Sequence, residues 1–399
     1  MHSFLRQCVL TALLGIVMTA PALAADTVKI GFVCPFSGGS QDFGNSARMG
    51  AELAVEEINA AGGYLGRPLQ LVLKDDEAKP DNAPRIVDEL INKDKVAFTI
   101  GFCNTGVAAK AIDAFQNAKQ LLVVPVSTGT VLTSKFPAKD SYIFRMSARD
   151  AIQAPFIVQD LRRRGFTKIA IFADKTGYGE GGFKDVSAAL AKDNLQPVYV
   201  ARFDLGVKDL TAEMREARDA GVQAIVSYTV GPESAVVVKS RAQAGVTAPL
   251  VGAWPMSFRT VWDGASAAAN GVMMVQTFIE DSGNSRRNGF ILALNRKLAG
   301  KPAGSLMAAA QSYDAVLLMF NAMFQTNGDL SPAALKGALE NLKKPYYGVV
   351  AVHDKPFSSE SKDAFSSSMI WLGKWNNGRI DFAYSEDAKR SAIARKKAD

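Results

Sequence analysis

Two loops hold the residues best suited to gripping a small polar molecule. The first is Gly101-Phe102-Cys103-Asn104-Thr105-Gly106, between an apolar, strand-like run at 96–100 and a helical run at 108–118. A helix amino terminus leaves backbone N–H groups unpaired, and these favour a carboxylate or similar anion. Asn104 and Thr105 add side-chain donors, although Asn104 could equally be a simple helix cap. The second loop is Ser127-Thr128-Gly129-Thr130, after a strand-like run at 121–126. Two such clusters, each at the carboxyl end of a strand, could converge on one polar ligand group.

Other chemistries are scarce. The chain has two histidines. His2 falls in an expected leader, so a site built from several histidines is excluded. A Ser-His-Asp triad would have to use His353, and no G-x-S-x-G elbow precedes it. His353 reads as a surface turn residue, and the chain as a non-enzyme. Cys8 also falls in the leader. Cys34 and Cys103 remain, both after strand-like runs at the same end of the expected sheet, either as a disulfide or as two free thiols. The turn Cys34-Pro35-Phe36-Ser37-Gly38-Gly39 fits neither a dinucleotide fingerprint nor a phosphate loop. No cofactor or metal is expected.

The elements that must carry these loops alternate in a β-loop-α rhythm. Residues 28–33 form a strand, and a helix from near Asn45 ends at Gly62-Gly63. Open sheets bind ligands at the carboxyl ends of their strands, which places Phe36, Ser37, Phe43 and Asn45 near the site. Residues 69–73 form a further strand, and 81–84 open a helix. A second unit begins at 144–146. It has helices at 150–163, 183–191, 207–220 and 233–244, and strands at 168–173, 198–201, 224–229 and 250–252. Tyr178 lies in a polar loop at 174–182, Thr229 ends one strand, and Trp254 follows another. A return strand at 271–277 leads to helices at 290–298, 308–324 and 332–342. Strands at 346–352, 368–375 and 380–383, with an Asn376-Asn377-Gly378 turn, add antiparallel pairing. The fold class is α/β with mainly parallel sheets.

The first 24 residues read as a secretory signal peptide: Arg6, an apolar stretch from Cys8 to Ala20, then Ala22-Leu23-Ala24. The remainder suits two domains. After Ala24 no apolar run is long enough to span a bilayer. The formal charge is +7 over 399 residues. This mild excess favours anionic ligands, and without a dense basic block it is no nucleic-acid signal.

The chain resembles periplasmic solute-binding proteins of the leucine/isoleucine/valine type. The marks are PFSG at 35–38, GAELAVEEINAAGG at 50–63, LKDDEAKPDNA at 73–83 and DKTGYGEG at 174–181. The resemblance implies two Rossmann-like lobes joined by three hinge crossings. Lobe 1 would take 25–144 and 275–348, and lobe 2 would take 145–274 and 349–399. It implies capture of a small carboxylate in the periplasm by lobe closure, and delivery as a monomer to the membrane permease of an ABC transporter. The loops at Cys103–Thr105 and at Ser127, Thr128 and Gly129 would hold the carboxylate, and Tyr178 would close over it.

The chain also departs from that pattern. Gly129 stands where amino-acid binders carry a threonine, with Thr128 or Thr130 to compensate. Trp254 falls at or beside their ammonium-binding acid. A buried ammonium without a charge partner is costly. The expected ligand is therefore an aromatic acid lacking an amine, with Phe36, Phe43, Phe102 and Trp254 suited to its ring. Two alternatives stand beside it. One is a branched-chain or aromatic amino acid, its amine served by Glu233 or another acid. The other is a ligand sensor feeding a membrane signalling partner. Ala78 replaces a cysteine that pairs with the equivalent of Cys103 in some relatives, which leaves Cys34 as an alternative partner.

Overall fold

The computed structural model describes residues 26–281 and 285–397; the expected signal peptide lies outside them. The first strand, β1 (Val28–Cys34), is almost wholly buried. A run apolar on both faces belongs inside a parallel sheet covered by helices. It feeds α1 (Gln41–Ala60), which buries Phe43, Ala47, Ala51, Ala54, Val55 and Ile58 on one side. This helix begins four residues before the expected Asn45. Gly38 turns the chain with φ +77°, and Gln41 N–H bonds its carbonyl. Asn45 therefore lies within the helix, where its Nδ2 donates to Phe36 O.

The first lobe continues through β2 (Leu69–Asp75), α2 (Ala83–Asp88), β3 (Phe98–Gly101), α3 (Thr105–Asn117), β4 (Leu122–Val124), α4 (Val131–Ser134) and β5 (Ile143–Arg145). Its five strands lie in the order β2-β1-β3-β4-β5, all parallel.

The second lobe runs α5 (Asp150–Arg163), β6 (Ile169–Asp174), α6 (Gly177–Lys192), β7 (Tyr199–Phe203), α7 (Thr211–Asp219), β8 (Ala224–Tyr228), α8 (Glu233–Gln243), β9 (Leu250–Gly252), α9 (Arg259–Ala265) and β10 (Met273–Gln276). The chain then returns to the first lobe as α10 (Ser285–Lys297), α11 (Leu306–Met323) and α12 (Pro332–Glu340), with α10 and α11 packed on α1. After the short strands β11 (Tyr346–Tyr347) and β12 (Val352–His353) it crosses again, to β13 (Trp371–Asn376), β14 (Arg379–Phe382) and α13 (Glu386–Ser391). The second sheet has seven strands, ordered β14-β13-β10-β9-β8-β6-β7. Pairing turns antiparallel at one side of it, between β10 and β13 and between β13 and β14, the latter pair joined by the Asn377-Gly378 turn.

Other expectations differ as well: the helix expected at 183–191 is α6, from Gly177, and the one expected at 290–298 is α10, from Ser285. Helix α7 starts at Thr211 rather than 207, because Asp209 accepts Thr211 N–H and Ser240 accepts Leu210 N–H. The strand expected at 346–352 is a separate pair of two-residue strands. The buried carboxylate of Asp314 on α11 takes the N–H groups of Val349 and Val350, at 2.8 Å each, so those residues cannot form a ladder. His353 is not at the surface: it is buried between Tyr346 and Phe365. Burial pushes its imidazole down to about 4. Among the described residues no helix is long and apolar enough to cross a membrane.

Candidate functional site

Each sheet has a point where the strand order reverses, and ligands bind outside the strands there. In the first sheet it lies between β1 and β3. Their carboxyl ends are joined by a disulfide between Cys34 and Cys103, with Cα atoms 5.0 Å apart. In the second it lies between β6 and β8. Asp174, at the end of β6, ties the two following loops together: it accepts from Thr176 N–H and from Val230 N–H, at 2.9 Å each. These two places face one another across the lobes.

Between them is a small cavity of about 10 Å³, about the room one water needs, lined by Cys103, Asn104, Thr105, Ser127, Thr128, Tyr178, Val230, Trp254 and Pro255. Seven of these are residues expected from the sequence. The two first-lobe loops do converge. Gly129 N–H donates to Thr105 Oγ1 at 3.2 Å, and Ser127 Oγ donates to Phe102 O at 2.9 Å. Thr128 presents its hydroxyl, accepting from Trp254 Nε1 at 3.3 Å across the lobes. Gly129 cannot carry a side chain here, since a Cβ would lie 2.2 Å from Thr105 Cγ2. Asn104 flanks α3 without capping it through its side chain, and its Oδ1 is buried with no partner.

The remaining candidates are elsewhere. Phe102 is buried in the layer beneath α3, with its ring on Phe115. Phe36 stacks on Phe32 and lies under Arg48. Phe43 supports the site from behind, edge-on to Trp254 at 5.8 Å and stacked on Phe258. Thr229 is buried just before Val230, its Oγ1 unpartnered, but it does not line the cavity. Glu233 accepts the N–H of Gly206 and is likewise not part of the lining. Tyr178 lies in the first turn of α6 rather than in a loop, because Thr176 caps that helix through Gly179 N–H.

The amino termini of α3 and α6 meet at this cavity. A Cβ on Gly177 would lie only 3.2 Å from Gly106 Cα. Two positive helix ends brought together favour a negative charge beside them. The cavity lining contains no carboxylate. Two fully buried acids stand behind the lining: Asp174, which holds Val230, and Asp150, at the start of α5 behind Thr128. The Oδ2 of Asp150 has no partner. Burial pushes Asp150 up to about 7, Asp185 adds to the rise, and Thr128 and Arg145 oppose it. The hydroxyls of Tyr178 and Tyr228 are also buried without partners, and burial raises both, with Asp150 the first of the nearby charges. Among the described residues no cluster of side chains could hold a metal ion.

Arg145 fixes the second loop from beneath. It is fully buried, donating to Thr128 O at 2.9 Å, to Gly129 O at 2.7 Å and to Asp363 Oδ1 at 2.6 Å. Sequence reasoning did not single out Asp150, Arg145, Val230 or Pro255. Val230 and Pro255 follow β8 and β9, so the strand-end rule applied to the second unit would have found them.

The sequence pattern described as periplasmic binding protein matches residues 27–379. The Leu/Ile/Val-binding protein homolog 3 of Brucella melitensis is 27% identical over 365 residues, 90% of this chain and 94% of that one. The leucine-, isoleucine-, valine-, threonine- and alanine-binding protein of Pseudomonas aeruginosa is 30% identical over 232 residues; the match spans 58% of this chain and 61% of that protein. Among solved structures, a type 1 periplasmic binding protein from Bordetella pertussis superposes with a TM-score of 0.81 at 24% identity, covering 90% and 99% of the two chains. A solute-binding protein of an ABC transporter from R. palustris, in complex with benzoate, gives 0.77 at 19% identity, covering 90% and 95%. A branched-chain amino acid transporter substrate-binding protein from Streptococcus pneumoniae, in complex with isoleucine, gives 0.75 at 24% identity, covering 89% and 98%.

Proposed function

The chain belongs to the periplasmic binding protein family, and we propose that it captures a small aromatic carboxylate lacking an amine and delivers it to the permease of an ABC importer. The observation that carries this reading is the meeting of two helix amino termini at a cavity lined by Trp254 and by no carboxylate. An anion offsets the opposed helix dipoles as the lobes close. An ammonium would find no ionised partner in that lining. The backbone N–H groups at the start of α3 are the donors for the carboxylate, and Trp254 and Tyr178 offer faces to a ring. The structural neighbour that binds benzoate has the same fold and supports the same ligand class. On this reading the protein is exported, acts as a monomer and catalyses no reaction.

A second reading, capture of a branched-chain or aromatic amino acid, is favoured by the names of the Brucella and Pseudomonas relatives. Thermal unfolding with benzoate, 4-hydroxybenzoate, cinnamate, phenylpyruvate, leucine and phenylalanine separates the two, since a ligand specific to the native state raises its stability. Stabilisation by an aromatic acid and not by its amine-bearing analogue is the expected result. Stabilisation by leucine or phenylalanine alone would sink the first reading.

A further inference from the structure

A second pocket, of about 210 Å³, lies where the lobes meet and shares no lining residue with the cavity between the strand ends. The first lobe supplies Ile291 of α10 and Leu306 and Met307 of α11. The second lobe supplies Trp375 of β13 and Ile380 of β14. Phe278 and Ile279 come from the crossing between β10 and α10.

The interior is apolar and the rim is charged. Phe278, Ile279, Met307 and Trp375 are each no more than 3% exposed. An apolar cavity of ~150 Å³ takes a molecule the size of benzene, and this one has room for slightly more. Asn295, Glu280 and Arg379 are the exposed polar residues of the lining, and Arg259 joins them from the start of α9. Two arginines thus stand against one carboxylate. Arg259 also pairs with Asp263 at 2.8 Å, but both side chains are part-exposed, and such pairs give way at little cost. The lining fits a short apolar chain or single ring that carries an anionic head.

The same residues take part in closure. Arg259 N–H donates to Gly304 O at 2.9 Å, a bond from the second lobe to the loop between α10 and α11 of the first. Gly304 in turn packs on α1, where a Cβ would lie 2.6 Å from Asp42 O. Two other lining residues hold the main chain at Trp254: Ser257 Oγ donates to Trp254 O at 2.7 Å, and Gln276 Nε2 donates to the same oxygen at 3.5 Å. We propose that this pocket is a second ligand site, for a small apolar carboxylate, and that its occupant holds the lobes together. A molecule touching both lobes here loses one set of contacts when they part, so it favours the closed arrangement. This holds whichever ligand the main cleft takes.

The test titrates hexanoate, with hexanol as its neutral counterpart, and follows the methyl NMR signals of Ile279, Ile291 and Met307. Hexanoate is expected to shift these signals saturably and to bind more tightly than hexanol. At saturation, exchange of the Arg259 amide hydrogen should slow by at least about fivefold, the low end of coupling between two sites. Ala303→Trp fills the pocket from its own lining and should abolish both effects. Arg379→Glu changes an exposed side chain, so it tests the site even if the tryptophan variant folds poorly. It should weaken hexanoate by about threefold and leave hexanol unchanged. Absence of methyl shifts, shifts that survive Ala303→Trp, hexanol binding as tightly as hexanoate, or unchanged Arg259 exchange at saturation would each overturn the proposal.

Discussion

Asp150 turns the choice between ligand classes into a pH measurement. It faces Thr128, Gln153, Tyr178 and Tyr228, with Asp185 and Arg145 as the nearby charges, and burial pushes it up to about 7. Below that pH the group is neutral and tolerates an anion beside it. Above it the group is negative and repels a bound carboxylate. Affinity for benzoate should therefore be level below about 7 and fall as pH rises through it, and Asp150→Asn should abolish the fall. An ammonium ligand gives the opposite slope, because ionised Asp150 attracts it; calorimetry across pH reads the sign directly. The unliganded protein carries the same linkage. A carboxyl raised on folding stabilises fully below its unfolded value, ~3.9, and that contribution is lost as pH rises through about 7. None of this was legible in the sequence, where Asp150 marks only a helix start. The aromatic residues show the same limit. Phe36, Phe43 and Phe102 are of the right type, but residue type does not tell a cavity wall from a core, and all three are engaged with other rings.

At the scale of elements, the closed arrangement depends on α3 and α6 meeting through glycines. A Cβ at Gly177 would already press on Gly106 Cα, while Gly106 has Pro80 Cγ at 3.6 Å from its own ideal Cβ. Gly177→Val should hold the lobes apart and weaken ligand binding by at least about tenfold, roughly 1.4 kcal/mol. The side chain protrudes between lobes rather than into a core, so thermal stability without ligand should change little. Small-angle scattering should show no ligand-induced compaction in the variant. Compaction and affinity equal to the wild type would show that the contact does not limit closure. Some elements governed by local signals are legible in the sequence. The expected helix at 150–163 matches α5, whose apolar spacing precedes a stop at Gly165. Elements governed by distant partners are not. Strands β11 and β12 are split by Asp314, more than thirty residues earlier in the chain. Helix α9, seven residues long and following the Trp254–Ser257 3₁₀ segment, is too short to show a periodic pattern.

At the scale of the molecule, two lobes can be read from the repeated strand–helix rhythm, but the path by which the tail ties them cannot. Residues 354–366 have no helix or strand of their own. Before reaching the second sheet, this stretch pairs with the edge of the first: Arg145 N–H bonds Lys362 O at 2.8 Å, and Ala364 N–H bonds Arg145 O at 2.9 Å. Asp363, between them, receives Arg145 and Arg149 from the first crossing and Thr133 from α4. One carboxylate thus fixes two of the three crossings and, through Arg145, the loop at Thr128 and Gly129. The guanidinium of Arg145 is wholly buried and Asp363 nearly so, with side-chain exposures of 0% and 9%. Removing one partner of a buried pair leaves the other charge uncompensated, which destabilises by about 3–5 kcal/mol. Asp363→Ala should lower stability by that amount in urea unfolding. Asp363→Asn, which keeps an acceptor for Thr133 and Arg145, should lose less. Arg67→Ala, which breaks the exposed pair with Asp26, serves as the surface reference and should change stability by no more than ~1 kcal/mol. If Asp363→Ala matched that reference, the crossings would be held by the strand pairing alone. If it showed the larger loss together with weakened ligand binding, the same buried charge would be setting both the hinge and the loop.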